Sequence, residues 1–218
     1  MAAPQHSLAD GAVHVWRADL AKVDDELSGL LSAAELTRAE SFPRARDGKL
    51  WARGRGVLRA LLGRYLQRDP RMLRFAAGAH GKPELLDDQR RSATSFNLSH
   101  SGELALYAFT TIGPVGIDIE VARRAIDAVA LAERAFGPEA AERLGRLEPD
   151  ARQREFLRAW VRREAALKLA GRGIGGADAE ARSTPQATWI AELEVAGCAA
   201  AAVALEAPPG ELCCREWP

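Results

Sequence analysis

The 218 residues carry 30 Lys and Arg against 30 Asp and Glu, a formal net charge of 0, and 47% of them are hydrophobic. That balance excludes an intrinsically disordered chain, which combines low hydrophobicity with high net charge, and it lacks the basic excess of a nucleic-acid binder. The most apolar stretch, Val195 to Leu205, is about half the ~20 residues that a membrane helix requires, so no membrane partner is expected.

In chain order, the first thirty residues include Asp10, Arg17, Asp19, Lys22, Asp24, Asp25 and Glu26, unlike a secretory signal, so the expected location is the cytoplasm. Val13 to Ala18 reads as a strand. Ser32-Ala-Ala-Glu35 is a capping-box pattern that opens a helix toward Phe42, and Pro43 closes it. From Asp47 to Tyr65, the residues Leu50, Trp51, Val57, Leu58, Leu61, Leu62 and Tyr65 recur at helical spacing. Met72 to Ala76 predicts a strand, and His80-Gly81-Lys82-Pro83 a turn. Phe96-Asn-Leu98 leads into Ser99-His100-Ser101-Gly102, read as a polar loop. Leu104 to Thr110 and Val115 to Ile119, joined by the turn Thr111 to Pro114, predict a hairpin. Helical patterns follow at 122–136 and 150–170, and Trp189 to Val195 with Cys198 to Leu205 predicts a second hairpin. The element order points to an α+β fold in which each half packs helices on a small, mostly antiparallel sheet. The best division is near Gly113, giving residues 1–112 and 113–218. Cys198, Cys213 and Cys214 lack C-x-x-C spacing and support neither a disulfide framework nor a zinc site.

Three groups of residues carry chemistry. In Gly116-Ile-Asp118-Ile-Glu120, residues two apart on a strand share a face, so Asp118 and Glu120 point one way and the isoleucines the other. Two carboxylates so close repel unless a cation lies between them, and hard oxygens at this spacing suit Mg2+; an isolated D-x-E also suits a solvated strand face. In Trp160-Val-Arg-Arg-Glu164-Ala-Ala-Leu-Lys168, an exposed i,i+4 ion pair would be the ordinary role of Glu164 and Lys168. Helix geometry argues otherwise. Around Glu164, Leu157 lies about 20° away, Trp160 and Lys168 about 40°, and Val161 and Leu167 about 60°. Glu164 thus sits in the apolar stripe, where an unpaired carboxylate is costly, and should face a cation, a ligand or a buried partner. Ser99, His100 and Ser101, with Lys82 before them, supply hydroxyl, imidazole and ammonium groups suited to phosphate. Gly171-x-Gly173-x-x-Gly176 matches a dinucleotide fingerprint in letters only: it follows a helix, where a C-cap is expected.

These segments resemble the Sfp-type 4'-phosphopantetheinyl transferases: Gly81-Lys82-Pro83, Phe96-Asn-Leu-Ser-His-Ser101, Val115-Gly-Ile-Asp-Ile-Glu120, and Trp160-x-x-x-Glu164-x-x-x-Lys168 with Gly171-Arg-Gly173, in the family's order. One departure is Arg163, where the family has a lysine. The resemblance implies a pseudo-dimer of two similar halves with coenzyme A bound in the cleft between them. The N-terminal half would contact coenzyme A, and the C-terminal half would hold the metal, the catalytic helix and the carrier-docking face. The implied reaction moves the phosphopantetheine arm of coenzyme A to a serine of an acyl or peptidyl carrier protein, as in fatty-acid, polyketide or nonribosomal-peptide synthesis. By resemblance, Asp118, Glu120 and Glu164 hold Mg2+, with Mn2+ the other ion to consider. Glu164 takes the serine proton, and Lys168 stabilises the leaving phosphate. Lys82, Pro83, Ser99 and His100 contact the adenosine end, and Arg38, Arg53 and Arg59 are candidate coenzyme A contacts. The carrier docks around Ala125 to Leu147 through Arg134, Arg143 and Arg146. Two halves in one chain imply a monomer. A non-catalytic binder of coenzyme A or a carrier, and a metal-dependent nucleotide phosphohydrolase, are the competing readings.

Overall fold

The computed structural model describes residues 8–77, 83–86, 94–122, 125–171, 189–195 and 199–218. They form two compact units. The first comprises Met1–Phe96, Gly102–Gly113 and Pro209–Pro218, and the second Asn97–Ser101 and Pro114–Pro208. A single cut at Gly113 misses two crossings of the chain, at residues 97–101 and 209–218.

In the first unit, β1 (Ala12–Asp19) precedes a short helix, α1 (Ala33–Glu40), and a long one, α2 (Ala45–Leu66). The capping box at Ser32 forms as predicted: its hydroxyl accepts from the Glu35 amide, and the Glu35 carboxylate accepts from the Ser32 amide. The strand predicted over Met72 to Ala76 is displaced. Pro70–Met72 is a 3-10 turn capped by Asp69, and β2 (Phe75–Ala77) pairs antiparallel with β3 (Pro83–Leu85). β4 (Ser95–Ser101) starts here and carries its last five residues into the second unit. β5 (Leu104–Thr110) has the predicted bounds and pairs antiparallel with β1. On its other edge β1 pairs in parallel with β9 (Glu211–Glu216), a strand the sequence reading lacks. The predicted spacing of α2 places Val57, Leu58, Leu61 and Leu62 in the core. Tyr65 meets the sheet, its ring 4.6 Å from Phe109 and its hydroxyl accepting from Trp16 Nε1 at 2.8 Å.

The second unit contains β6 (Val115–Val121), α3 (Ala128–Phe136), α4 (Pro138–Gly145), α5 (Pro149–Leu169), β7 (Trp189–Glu192) and β8 (Ala199–Leu205). The hairpin predicted between 104–110 and 115–119 does not form. β6 belongs to a separate sheet of order β6-β8-β7, all antiparallel, because Gly113 at φ 134° and Pro114 carry the chain across to the second unit. The predicted pairing of the last two strands of this unit is present. The helical pattern at 122–136 begins only at Ala128, capped by Asp127, and α4 is additional.

The alanine-rich β8 presents Ala202 and Ala204 to Val161 and Ala165 of α5. Helix α5 comes so close to β6 that a Cβ on Gly116 would lie 1.9 Å from the Ala165 carbonyl oxygen. This glycine therefore sets the distance between the strand bearing Asp118 and Glu120 and the helix bearing Glu164 and Lys168. Helix α5 ends at Leu169 with Ala170 as its C-cap, followed by Gly171 at φ 67°, the expected left-handed C-terminal glycine. Among the described residues, no helix is long and apolar enough to cross a membrane. The architecture is α+β, with small sheets packed against helices.

Candidate active site

The chemistry-bearing residues of the second unit come together on β6, β4 and α5. Asp118 is buried and Glu120 half-buried, while Ile117 and Ile119 of the alternate face lie in the core, as the strand alternation requires. Ser99 and His100 lie on a strand and not in a loop. Polar residues persist in β4 because their partners are on β6 and α5, not in solvent. The Ser99 hydroxyl donates to Asp118 Oδ1 at 2.7 Å, and Lys168 Nζ donates to the same oxygen at 2.7 Å, to Ser99 Oγ at 2.9 Å and to the Ile117 carbonyl at 3.2 Å. Ser101 donates to Glu120 Oε2 at 3.0 Å. His100 points outward from the alternate face and is exposed.

Glu164 sits where helix geometry puts it, in the apolar stripe, 2% exposed. Among the described residues, both its carboxylate oxygens and Asp118 Oδ2 are buried without a hydrogen-bond partner. Burial pushes the Glu164 carboxyl up to about 7, and the charge of Asp118 adds to this, while Lys168 and Arg163 oppose it. Glu120 is also raised, first by burial, with the Ser101 hydrogen bond working against it. Arg163 stands beside Glu164 on α5, where the family has a lysine. It is half-buried, its guanidinium 5.8 Å from the centre of the Phe136 ring.

The donor set suits a hard divalent cation such as Mg2+: every donor is a carboxylate oxygen, and three of them are buried without a partner. The carboxylates feel one another's charge. Among the described residues no three Asp, Glu, His or Cys side chains stand close enough to hold a metal ion by themselves, so an ion bound here would also need oxygens from a phosphate substrate or water. The ammonium of Lys168 is the cation that compensates Asp118.

The candidate coenzyme A arginines of the first unit have other engagements. Arg59 is 2% exposed, with Nε donating to Glu35 at 2.8 Å and Nη1 to the Pro70 and Leu73 carbonyls at 2.7 and 3.0 Å. Arg53 pairs with Asp25 at 2.8 Å and bonds the Leu20 and Ala21 carbonyls. Arg38 is exposed, 5.2 Å from the centre of the Phe42 ring. Pro83 opens β3, and Lys82 lies outside the described residues.

Comparison with known proteins joins these observations. A family model described as the 4'-phosphopantetheinyl transferase superfamily matches residues 114–200, and one described as the 4'-phosphopantetheinyl transferase N-terminal domain matches 15–111. The chain is 39% identical over 174 residues to the 4'-phosphopantetheinyl transferase HetI of Nostoc sp., covering 78% of this chain and 73% of that protein. The chain belongs to the 4'-phosphopantetheinyl transferase family. This transferase is also 39% identical over 147 residues to slr0495 of Synechocystis sp., covering 67% of the chain but only 59% of that relative. It is 33% identical over 143 residues to the 4'-phosphopantetheinyl transferase AcpT of Escherichia coli, covering 65% and 68%.

Sequence reasoning left Asn97 of this transferase without a role and grouped Ser101 with the phosphate partners, not with the carboxylates. Asn97 is 3% exposed and accepts from the Ile117 amide at 2.9 Å, and Ser101 takes the Val121 amide at 3.1 Å. Their spacing with Ser99 in Asn97-x-Ser99-x-Ser101 was the available signal, because a period of two marks one face of a strand.

Proposed function

We propose that this chain transfers the 4'-phosphopantetheine arm of coenzyme A to a serine of an acyl or peptidyl carrier protein, releasing 3',5'-ADP. The observation that carries this reading is the group of buried, unpartnered carboxylate oxygens of Asp118 and Glu164 beside the Lys168 ammonium. Asp118, Glu120 and Glu164 would hold Mg2+, or Mn2+, which when bound supplies neutralisation of pyrophosphate charge.

The serine oxygen attacks the phosphorus that bears the pantetheine. The bond from that phosphorus to the bridging oxygen breaks, and 3',5'-ADP departs with that oxygen. Glu164 accepts the serine proton directly or through water; burial pushes its carboxyl up to about 7 in the metal-free protein, and a bound cation would favour the ionised form that can take the proton. Lys168 reaches the leaving phosphate by exchanging its Asp118 contact for a phosphate oxygen. Ser99 holds Asp118 and orients Lys168, while the exposed His100 is free to turn toward a phosphate.

The carrier docks on the 125–147 segment. There Ile126 and Leu131 are each 37% exposed next to the exposed Arg134, and Arg143 is also exposed. Arg146 contributes less, being paired with Glu142 at 2.6 Å. The reading has the chain act as a monomer in the cytoplasm, where coenzyme A and carriers meet.

The test is mass spectrometry of a panel of apo-carriers incubated with the protein, coenzyme A and Mg2+. A gain of one phosphopantetheine is expected. Asp118→Ala and Glu164→Ala should each slow transfer by roughly two to three orders of magnitude while remaining folded. Full activity in either variant refutes the reading.

A further inference from the structure

Among the described residues β6 is an edge strand, so one row of its backbone groups faces away from β8 and needs partners. Those partners are side chains. The Ile117 amide donates to Asn97 Oδ1 and the Val121 amide to Ser101 Oγ. Between them the Ser99 hydroxyl reaches Asp118 Oδ1, and the Ser101 hydroxyl reaches Glu120 Oε2. The four bonds join residues 20, 19, 19 and 20 apart, so the Asn97, Ser99 and Ser101 face of β4 runs in step along β6. An ordinary neighbouring strand would satisfy the backbone and leave the carboxylates to find their own rotamers. This polar face does both tasks with the same groups.

Ser101 shows how. Its oxygen accepts the Val121 amide, and its single proton goes to Glu120, so the backbone bond anchors the hydroxyl whose proton orients the carboxylate. We propose that Ser101 and Asn97 are positioning residues, Ser101 aiming the Glu120 carboxylate and Asn97 fixing the register of β6, so that Asp118 and Glu120 are presented together to a divalent cation. This rests on the reading of Glu120 as a cation ligand. Residues that hold a metal's ligands change affinity by roughly 10- to 100-fold when removed.

The experiment compares wild type, Ser101→Ala and Ser101→Thr. Mn2+ binding is followed by electron paramagnetic resonance, and amide exchange at Val121 is measured in the metal-free protein. The alanine variant should bind Mn2+ roughly 10- to 100-fold more weakly, exchange the Val121 amide roughly tenfold faster, and lose kcat with the KM for coenzyme A unchanged. Threonine, which keeps the hydroxyl, should restore all three. Wild-type Mn2+ affinity in Ser101→Ala overturns the proposal even if exchange is faster, since the serine would then only cap a strand edge. Loss that threonine does not restore also overturns it. Should Ser101→Ala fail to fold, Ser101→Cys replaces it, and equal Mn2+ affinity in the Cys and Thr variants overturns the proposal. Wild type that binds Mn2+ with the expected variant pattern but modifies no carrier refutes the transfer reaction and leaves the positioning role standing. Wild type that binds no Mn2+ removes the positioning role.

Discussion

Replacing Glu164 by glutamine should stabilise the metal-free protein above neutral pH. The folded Glu164 carboxyl keeps its proton to about pH 7, whereas an unfolded glutamate releases it near 4.5. Between those values the native state binds more protons than the unfolded state, so unfolding free energy falls as pH rises through this window and levels off above it. The difference of about 2.5 pKa units corresponds to about 3 kcal/mol, or about 6–12 °C in Tm for a chain of this size. Glutamine is nearly isosteric with the protonated carboxyl and does not ionise. The two proteins should therefore be equally stable near pH 4.5, and the variant should gain steadily up to about pH 7.5.

Urea denaturation in chelator, at half-unit steps from pH 4.5 to 8, measures this, and the wild-type-to-variant difference cancels the other titrating groups. Mg2+ added at pH 8 should raise the wild-type midpoint and leave that of the variant nearly unchanged, because a bound cation compensates the ionised carboxylate. A pH-independent difference, or a variant less stable than wild type at pH 8, would refute the claim that Glu164 is a desolvated carboxylate.

Gly116→Ala should lower stability by about 3 kcal/mol and lower transfer with it, since the added methyl meets the Ala165 carbonyl oxygen at 1.9 Å and the Leu169 nitrogen at 2.5 Å; calorimetry and the carrier assay check this together. Arg59→Ala leaves Glu35 without its closest cation, a contact of 2.7 Å, and should destabilise the protein by about 3 kcal/mol. The KM for coenzyme A should stay unchanged in the protein that remains folded, and a selective rise in that KM would make Arg59 a coenzyme A contact after all. Leu131→Asp and Arg134→Glu should each raise the KM for an acidic carrier about tenfold with coenzyme A kinetics intact, measured by varying the carrier at saturating coenzyme A.

Much of the local structure was readable because each signal depends on neighbours in the chain. The capping box at Ser32, the apolar period of α2, the bounds of β5 and the burial of Glu164 follow from spacing alone. The misses share one cause. β9 is largely exposed and shows no apolar alternation, and it pairs with a strand almost two hundred residues away, as the Arg17 and Glu216 partners show. The polar second half of β4 looks like a loop because its serines are satisfied by carboxylates that come later in the chain. β5 and β6 look like a hairpin because a four-residue link with glycine and proline is turn chemistry, and nothing in that link says which sheet each strand joins.

The amino-acid order alone determined which groups are available: two carboxylates on one strand face, a third in an apolar helical stripe with a lysine one turn on, and the family these residues mark. Tertiary structure decided their partners. It put α5 against Gly116, so that Lys168 reaches Asp118, and it laid Asn97, Ser99 and Ser101 along the open edge of β6. It also enclosed Arg59 in the fold. Periodicity is a property of the backbone and repeats within a few residues, whereas the company a charged group keeps depends on which distant surfaces close over it.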